Sequence, residues 1–320
     1  MELNTQTINT PPRPAATVLM LRDAPQGLEV LLIKRHAQSD VLGGAYVFPG
    51  GKVDAADAQT LVLSLLDQPA PTLQERLCES GISAAQAAAI FIAAAREVFE
   101  ESGILFAHNV SARQTAKAQA LLRAGHGFGA LLSNAGLRLS VSALLPWSRW
   151  ITPKTPSVMN KRFDTRFFVA AMPVQQTAQH DEHEATDSVW LSPVAALERY
   201  WADQIALAPP QIMSLVHLLD FDSVHSVLQA ACAQAPPLIA PESFEQDGTR
   251  VVCYPGDPSH AVAVRAMPGP TRLIYRNRRF EPEQGFAGFF DRTASAPVAC
   301  ASGMRLDNAA IKTHGRGHAS

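Results

Sequence analysis

Three glutamates follow one arginine in a short stretch of this chain. Glu97 directly follows Arg96, Glu100 and Glu101 come within the next four residues, and Gly103 lies two residues after Glu101. At about 100° per residue, the three carboxylates share one stripe of a helix. Like charges three and four residues apart repel each other, and the carboxyl end of a helix disfavours anions. A divalent cation would relieve this crowding, because hard cations such as Mg²⁺ prefer oxygen ligands.

The helix that carries these glutamates is delimited by its own sequence. Ser83 followed by Gln86 has the spacing of a capping box, and Gly103 is typical of a left-handed helix cap. Between these ends, an apolar stripe runs through Ala87, Phe91, Ala94, Ala95 and Val98. The sequence therefore predicts one helix that buries its apolar face and places the acidic residues beside that face.

Composition excludes several classes of function. The chain has 320 residues, a formal net charge of −2 and a pI near 6.5, so no global basic field favours nucleic acid or an anionic membrane. Its longest apolar run, residues 87–95, is well short of the roughly 20 residues that cross a bilayer. The N-terminus lacks the apolar region of a signal peptide, and the four cysteines form no Cys-x-x-Cys pair. We therefore expect a cytoplasmic protein with neither a disulfide scaffold nor a zinc site.

Several elements precede and follow the acidic helix. Residues 15–22 and 28–35 read as two strands of a hairpin, and the Pro- and Gly-rich segment 49–51 follows shortly after them. The mixed segment 58–82 contains at most two short helices, separated by prolines. Further predicted elements are a helix over 111–124, strand-forming segments over 137–151, 162–172 and 187–191, and a helix over 193–203.

The C-terminal part has a different pattern. Apolar periodicity predicts helices at about 210–219 and 222–234, and three short strands are expected between Arg250 and Arg276. From its composition, the tail 291–320 is expected to be disordered. We divide the chain into a flexible N-terminus (1–13), a main domain (14–204, with an insertion at 58–82), a C-terminal extension (205–290) and this tail.

Two separated segments together resemble a known motif. Gly51-x5-Asp57 and the segment 96–104 resemble the Nudix box, Gly-x5-Glu-x7-Arg-Glu-U-x-Glu-Glu-x-Gly-U, in which U is aliphatic. The second half matches at every specified position. The first half has Asp57 in place of Glu, and residues 58–95 lie where the motif has seven residues. The resemblance implies a mixed α/β fold, the Nudix α/β/α sandwich with a mixed sheet, here with an insertion inside the box.

Within this superfamily, the chain is similar to the branch of acyl-coenzyme A diphosphatases typified by a peroxisomal enzyme. The similarity is carried by Val47-Phe-Pro-Gly-Gly51 with Asp54 and Asp57, by residues 94–105, by Trp150-Ile-Thr-Pro153 and by Arg162-Phe-Asp-Thr-Arg-Phe-Phe168. The chain ends in His318-Ala-Ser320 instead of the Ser-Lys-Leu peroxisomal signal. The expected reaction is metal-dependent hydrolysis of coenzyme A or acyl-coenzyme A to adenosine 3′,5′-bisphosphate and (acyl)phosphopantetheine.

The resemblance also assigns roles to residues. It implies that Glu97, Glu100 and Glu101 bind Mg²⁺ or Mn²⁺, that Arg96 orients a neighbouring carboxylate, and that a backbone carbonyl of the glycine loop, Gly50, is a further ligand. Glu184, six residues before Trp190, is a candidate metal ligand. Arg35 ends a strand that points towards the glycine loop and is a candidate phosphate-binding residue. The candidate bases are Glu100, Glu101, Glu182 and Glu184.

Other functions stay open at the level of sequence. The same chemistry could serve another nucleoside diphosphate derivative, such as NADH or ADP-ribose. A Nudix-fold ligand-binding module without catalysis is a further alternative, although such a module would be expected to lose the carboxylates of the box. His180 and His183 have a spacing that suits metal ligands, but a mobile acidic loop explains them as well. The expected partner is a small diphosphate-linked molecule, without nucleic acid or membrane, and a homodimer is possible.

Overall fold

One large sheet lies at the centre of the chain and positions the acidic helix. The computed structural model describes residues 3–4, 6–39, 42–156, 161–174, 176–178 and 185–292. The strands are β1 (Arg13–Ala24), β2 (Gly27–Arg35), β3 (Tyr46–Val47), β4 (Gly50–Lys52), β5 (Leu145–Ile151), β6 (Phe163–Ala171), β7 (Ala185–Leu191), β8 (Leu238–Ile239), β9 (Glu242–Gln246), β10 (Thr249–Cys253), β11 (Arg272–Arg276) and β12 (Arg279–Glu281). The helices are α1 (Thr60–Leu63), α2 (Ala70–Leu77), α3 (Ala84–Ser102), α4 (Ala112–Arg123), α5 (Phe128–Ala135), α6 (Pro193–Trp201), α7 (Pro209–Leu218) and α8 (Val224–Ala233).

The large sheet is mixed, as the resemblance implied. Its strand order is β3-β2-β1-β6-β5-β8, with β4 paired to β1 and β7 paired to β2. The β1–β6 and β5–β8 pairs are parallel, and the other pairs are antiparallel. The predicted hairpin of β1 and β2 is confirmed, since Ala24 faces Gly27 across a tight turn. Strand β1 lies in the interior of the sheet between β2 and β6, and all of β6 pairs with it.

Both faces of the sheet are covered, which confirms the expected three-layer sandwich. In β1, Val18 and Met20 belong to the core on the side of α3, whereas Leu19 and Leu21 belong to the core on the opposite side. Successive side chains of a strand point to opposite faces, so an unbroken apolar run fits a strand with helices or sheets on both sides. The apolar sequence of β1 therefore follows from its position between two cores.

The insertion packs against the core on the α3 side and is fixed to the sheet by ion pairs. Residues 58–82 contain the two expected short helices, α1 and α2, and α2 packs along α3. Glu79 accepts hydrogen bonds from Arg166 Nε at 2.8 Å, and its other oxygen lies 3.0 Å from Arg149 Nη1. Glu79 and Arg166 are both largely buried, where a paired charge is far less costly than a single one. The insertion is thus an integral part of the sandwich.

The C-terminal extension covers the opposite face of the sheet. Its strand β8 pairs with β5 at the sheet edge, and β9–β12 form a second sheet in the order β12-β11-β10-β9. Residues of α7, β10, β11 and β12 share one apolar cluster with the large sheet. Within it, Tyr254 packs edge-on against Trp150, with ring centroids 6.0 Å apart. The extension therefore completes the core of the main sheet.

Several local expectations differ from the structure. Three strands were expected between Arg250 and Arg276, but only β10 and β11 are present there; the apolar segment 261–264 between them forms no strand, and Val262 and Val264 are 50% and 69% exposed. Strands β9 and β12 lie outside the range in which strands were predicted, and α5 was not predicted at all. The prediction of a third strand in this range rested on apolar content alone and is wrong, because β-propensity reflects packing against neighbours that a sequence does not reveal. Gly127 and Gly129 in turn weaken the helical signal of α5.

The N-terminal segment, expected to be flexible, makes specific contacts in its described residues. Asn4 Nδ2 donates to the Pro156 carbonyl at 3.1 Å, and Ile8 N–H donates to the Lys154 carbonyl at 2.7 Å. Across the described ranges, no helix is both long and apolar enough to cross a membrane, and Cys78, Cys232 and Cys253 are free thiols.

A partly buried histidine couples stability to pH. His217 of α7 stacks on Trp147, with ring centroids 4.4 Å apart. Burial, and then the nearby positive charge of Arg292, lower the pKa of His217 to about 4. In the unfolded chain, the pKa of histidine is about 6.5. Below that pH the unfolded state binds the extra proton, so the contribution of neutral His217 to stability is lost as the pH falls from 6.5 towards 4.

We therefore expect the free energy of unfolding to fall by about 1–2 kcal/mol more between pH 7 and pH 5 in the natural protein than in His217→Phe. Phenylalanine keeps a ring against Trp147 but cannot bind a proton. Urea unfolding at the two pH values measures the difference. His225→Phe, at an exposed position of α8, is the control and should keep the natural pH dependence. Identical pH profiles for His217→Phe and the natural protein would contradict this assignment.

Candidate active site

Helix α3 presents the acidic segment in its last two turns and has both predicted caps. Ser83 Oγ accepts a hydrogen bond from Gln86 N–H at 3.2 Å, and Gln86 Oε1 accepts one from Ser83 N–H at 2.9 Å. Gly103 has a φ of 69°, and its N–H donates to the Phe99 carbonyl at 2.9 Å. This left-handed conformation favours glycine because other residues have a Cβ that crowds the backbone there. The helix therefore ends directly after the carboxylates, as predicted.

The guanidinium of Arg96 joins the two separated halves of the motif. Its Nε and Nη2 donate to the two carboxylate oxygens of Asp57 at 2.8 and 3.0 Å. Nη1 donates to Glu97 at 2.9 Å and to Glu100 at 2.8 Å. Nη2 also donates to the backbone carbonyl of Lys52 at 3.0 Å. One cation thus donates hydrogen bonds to three carboxylates and to the backbone at Lys52, contacts that would suit the orienting role predicted for Arg96.

The charge of Arg96 is secured by this arrangement. The guanidinium is largely buried, and burial alone would lower its pKa. The hydrogen bond to Asp57 and the negative charges of Glu97, Asp57 and Glu100 act in the opposite direction and prevail, so the pKa of Arg96 is raised above its ordinary value. Arg96 therefore stays positively charged.

Glu101 connects the helix to the glycine loop and to β2. Its Oε2 accepts a hydrogen bond from Gly50 N–H at 2.8 Å, and its Oε1 lies 3.7 Å from Arg35 Nη1. Arg35 Nε is buried and has no hydrogen-bond partner among the described residues. The structure thus brings the predicted residues Glu101, Gly50 and Arg35 together. It gives a contact for the N–H of Gly50, and the proposed role of its carbonyl stays a prediction.

Gly51 leaves room for the carboxylate of Glu97. A Cβ at position 51 would lie 2.5 Å from both Cδ and Oε1 of Glu97, which is far inside van der Waals contact. The backbone of β4 can therefore lie against this carboxylate only because residue 51 lacks a side chain. The glycine in the first half of the motif and the glutamate in the second half are thus matched in space.

These groups line one large cavity of about 640 Å³. Its lining includes Arg96, Glu97, Glu100 and Glu101 of α3, together with the glycine-containing strand β4 (Gly50–Lys52). The exposed fraction of the side chain differs among the glutamates, with 31% for Glu100, 11% for Glu97 and 3% for Glu101. Glu100 is therefore the box carboxylate most accessible to a molecule in the cavity.

Sequence reasoning left two groups out of the predicted site. Asp57, 2% exposed, was placed in the motif but given no role, yet it receives both hydrogen bonds from one edge of Arg96. Its place in the motif was the signal that could have identified it. The second group is the part of the cavity wall that comes from the C-terminal extension, including Gln211, Ser243 and Val252. No motif marks these residues.

Glu182, Glu184, His180 and His183 lie outside the described residues. Their predicted roles in metal binding or catalysis stay predictions.

The donor set suits Mg²⁺ or Mn²⁺ in kind, because the three glutamates offer hard oxygen ligands on one cavity wall. In the described part of the chain, no group of three or more His, Cys, Asp or Glu side chains is arranged to hold a metal ion. The carboxylates instead contact Arg96 and Gly50 N–H. Metal binding at these carboxylates is therefore a proposal that rests on their chemistry.

Comparison with known proteins identifies the family. Residues 5–218 match the family model described as the NUDT19 Nudix domain. The protein named acyl-coenzyme A diphosphatase NUDT19 is 28% identical in Xenopus laevis and 27% identical in Homo sapiens, and each match covers 62% of this chain and 62% of the relative. The chain thus spans about three fifths of the length of these two relatives.

Among solved structures, the crystal structure of a NUDIX hydrolase from Alicyclobacillus acidocaldarius is 26% identical, with a TM-score of 0.56. The match covers 69% of this chain and 97% of the other. This similarity supports the same fold, and the family model covers more than half of the chain. The chain therefore belongs to the NUDT19 Nudix domain family of Nudix hydrolases.

Proposed function

We propose that this chain hydrolyses the diphosphate linkage of coenzyme A or acyl-coenzyme A with the help of Mg²⁺ or Mn²⁺. The observation that carries the proposal is the convergence of Glu97, Glu100, Glu101 and Arg96 with the glycine loop on one wall of a large cavity. The relatives named acyl-coenzyme A diphosphatase support the choice of substrate. The cavity volume lies within the usual range of small-molecule sites, about 300–1,000 Å³.

The reaction is the addition of one water molecule across a P–O–P linkage. The water oxygen bonds to one phosphorus, and the bond between that phosphorus and the bridging oxygen breaks. The products are adenosine 3′,5′-bisphosphate and (acyl)phosphopantetheine, two phosphate monoesters. No oxidant or further reactant is needed. The site must therefore neutralise the diphosphate and accept a proton from water.

Named residues can supply these functions. Glu97, Glu100 and Glu101 would hold the metal ion, which when bound neutralises phosphate oxygens and lowers the pKa of a bound water. Arg96 keeps Glu97 and Glu100 in place through its shared Nη1. Arg35, which lies near the Glu101 oxygen that does not bond to Gly50, would bind a phosphate oxygen of the substrate. Among the box carboxylates we favour Glu100 as the base, because it is the most accessible of the three from the cavity.

Loss of either of two carboxylates is expected to abolish turnover. In Glu100→Gln and Glu101→Gln, metal-dependent cleavage of coenzyme A should fall by a factor of about 10² or more, because loss of a base or of metal charge commonly has this effect. Product formation is followed by mass spectrometry with Mg²⁺ or Mn²⁺. Binding of Mn²⁺ in the absence of substrate should weaken in the same variants.

The control is Glu75→Gln, which changes an exposed glutamate of α2 outside the cavity and should leave turnover unchanged. Full activity in Glu100→Gln or Glu101→Gln would exclude the box as the catalytic centre.

The close approach of Gly51 to Glu97 gives a second expectation. In Gly51→Ala, the new methyl group occupies the position of the Glu97 carboxylate, which must swing away from Arg96. We expect kcat/KM to fall at least about tenfold, because the displaced carboxylate loses its position beside Arg96, and the melting temperature to fall as well, because the buried guanidinium loses one of its hydrogen bonds. Gly127→Ala is the matched control, since a Cβ at position 127 meets no atom within 4 Å. Equal activity of the two variants would show that the position of Glu97 does not matter.

The substrate is tested with a panel of diphosphates. We expect kcat/KM to be at least about tenfold higher for coenzyme A and acyl-coenzyme A than for NADH and ADP-ribose, because discrimination between substrates lies in this ratio. A preference for NADH or ADP-ribose would keep the reaction and replace the substrate. Tight ligand binding without turnover of any compound would instead indicate a binding module.

A further inference from the structure

The C-terminal extension contributes only uncharged residues to the lining of the cavity, whereas all charged lining residues come from the preceding part of the chain. All of its cationic lining residues precede residue 162, namely Arg13, Arg35, Lys52, Arg96 and Lys161. The lining residues after residue 205 carry no charge: Ala208, Pro209, Pro210, Gln211, Pro241, Ser243 and Val252. A substrate with phosphates at one end and a neutral arm at the other would match this division.

Gln211, one of these uncharged lining residues, has a side-chain oxygen without a hydrogen-bond partner among the described residues. It lies in the first turn of α7, which begins with Pro209 and Pro210, and the N–H of the next residue bonds to the Ala208 carbonyl at 3.1 Å. Gln211 is 7% exposed and lines the cavity. Its Oε1 is buried and has no hydrogen-bond partner among the residues that the structure describes.

A buried carboxamide oxygen without a hydrogen bond lowers stability. A ligand that donates a hydrogen bond to this group would remove that cost. The terminal torsion of glutamine is broad and roughly two-fold, and rotation about it exchanges oxygen and nitrogen. Gln211 can therefore offer either an acceptor or a donor to the cavity. A phosphate would favour the cationic part, whereas an amide offers one N–H and one C=O to a carboxamide.

We propose that Gln211 is a specificity-determining residue that binds an amide of the phosphopantetheine arm. The arm lies against the neutral wall formed by the C-terminal extension, and the phosphorylated nucleotide lies on the cationic side. Apolar lining residues of the same extension, among them Pro210, Pro241 and Val252, suit the hydrocarbon segments between the amides. This assignment rests on the proposed cleavage of coenzyme A.

The test compares the two expected products as ligands of the full chain. Gln211→Met keeps the approximate size of the side chain and removes both hydrogen-bonding groups. By calorimetry, we expect the Kd of 4′-phosphopantetheine to rise about tenfold, the effect of losing one well-formed hydrogen bond. The Kd of adenosine 3′,5′-bisphosphate should change less than about twofold. For coenzyme A, KM should rise while kcat changes little, since uniform binding is lost.

The control is Gln229→Met, at an exposed position of α8 outside the cavity, which should leave both Kd values unchanged. Gln211→Asn, which keeps the carboxamide on a shorter stem, should fall between the natural protein and Gln211→Met. Equal effects of Gln211→Met on both ligands, an effect on the bisphosphate alone, or no effect on either would overturn the proposal. Absence of phosphopantetheine binding to the natural protein would also overturn it.

Failure of the proposed function has a different signature. In that case the natural protein would leave coenzyme A intact, and the panel would show cleavage of another diphosphate or of none. Product binding is measured without turnover, so the two failures are read from separate experiments.

Discussion

The site depends on one buried cation that several carboxylates share. Arg96 contacts Asp57, Glu97 and Glu100, and it also bonds to the backbone of the glycine loop at Lys52. A buried guanidinium is costly unless its hydrogen bonds are completed, so its partners cannot move independently. The arginine therefore fixes the carboxylates relative to the loop. The same contacts offset part of the repulsion among the acidic groups at the end of α3, which the sequence analysis assigned to a divalent cation.

This constraint explains how the motif tolerates a long insertion. Asp57 and Arg96 are far apart in sequence, yet their side chains form a bidentate ion pair. The intervening segment forms α1, α2 and most of α3, and α2 packs along α3 within the core. Glu79 then fixes the insertion to the sheet through Arg149 and Arg166. The segment 58–95 thus begins beside Asp57 and ends beside Arg96, and its own packing helps to hold these two residues together.

Sequence reasoning worked where local chemistry decides the structure and failed where distant contacts do. The caps of α3 at Ser83 and Gly103 follow from hydrogen bonds within a few residues, and both are present. The exposed segment 261–264 shows the opposite case, because only neighbouring strands could have made its apolar residues a strand. The position of Gln211 in the cavity lining could not be predicted from the sequence for the same reason. In the sequence, this residue lies in an apolar helix, and only the fold brings that helix to the box carboxylates.

The division of the cavity separates the reaction from the choice of substrate. The groups suited to hydrolysis lie on α3 and the glycine loop, where Arg96 couples them so tightly that a change in one disturbs the others. The neutral wall is built by the C-terminal extension, on the opposite face of the sheet. Only groups whose contacts differ between two substrates can discriminate between them, and every diphosphate presents the same linkage to α3. If α3 acts on the diphosphate linkage as proposed, selection of the substrate must come from residues outside the box, and the extension contributes uncharged residues to the same cavity.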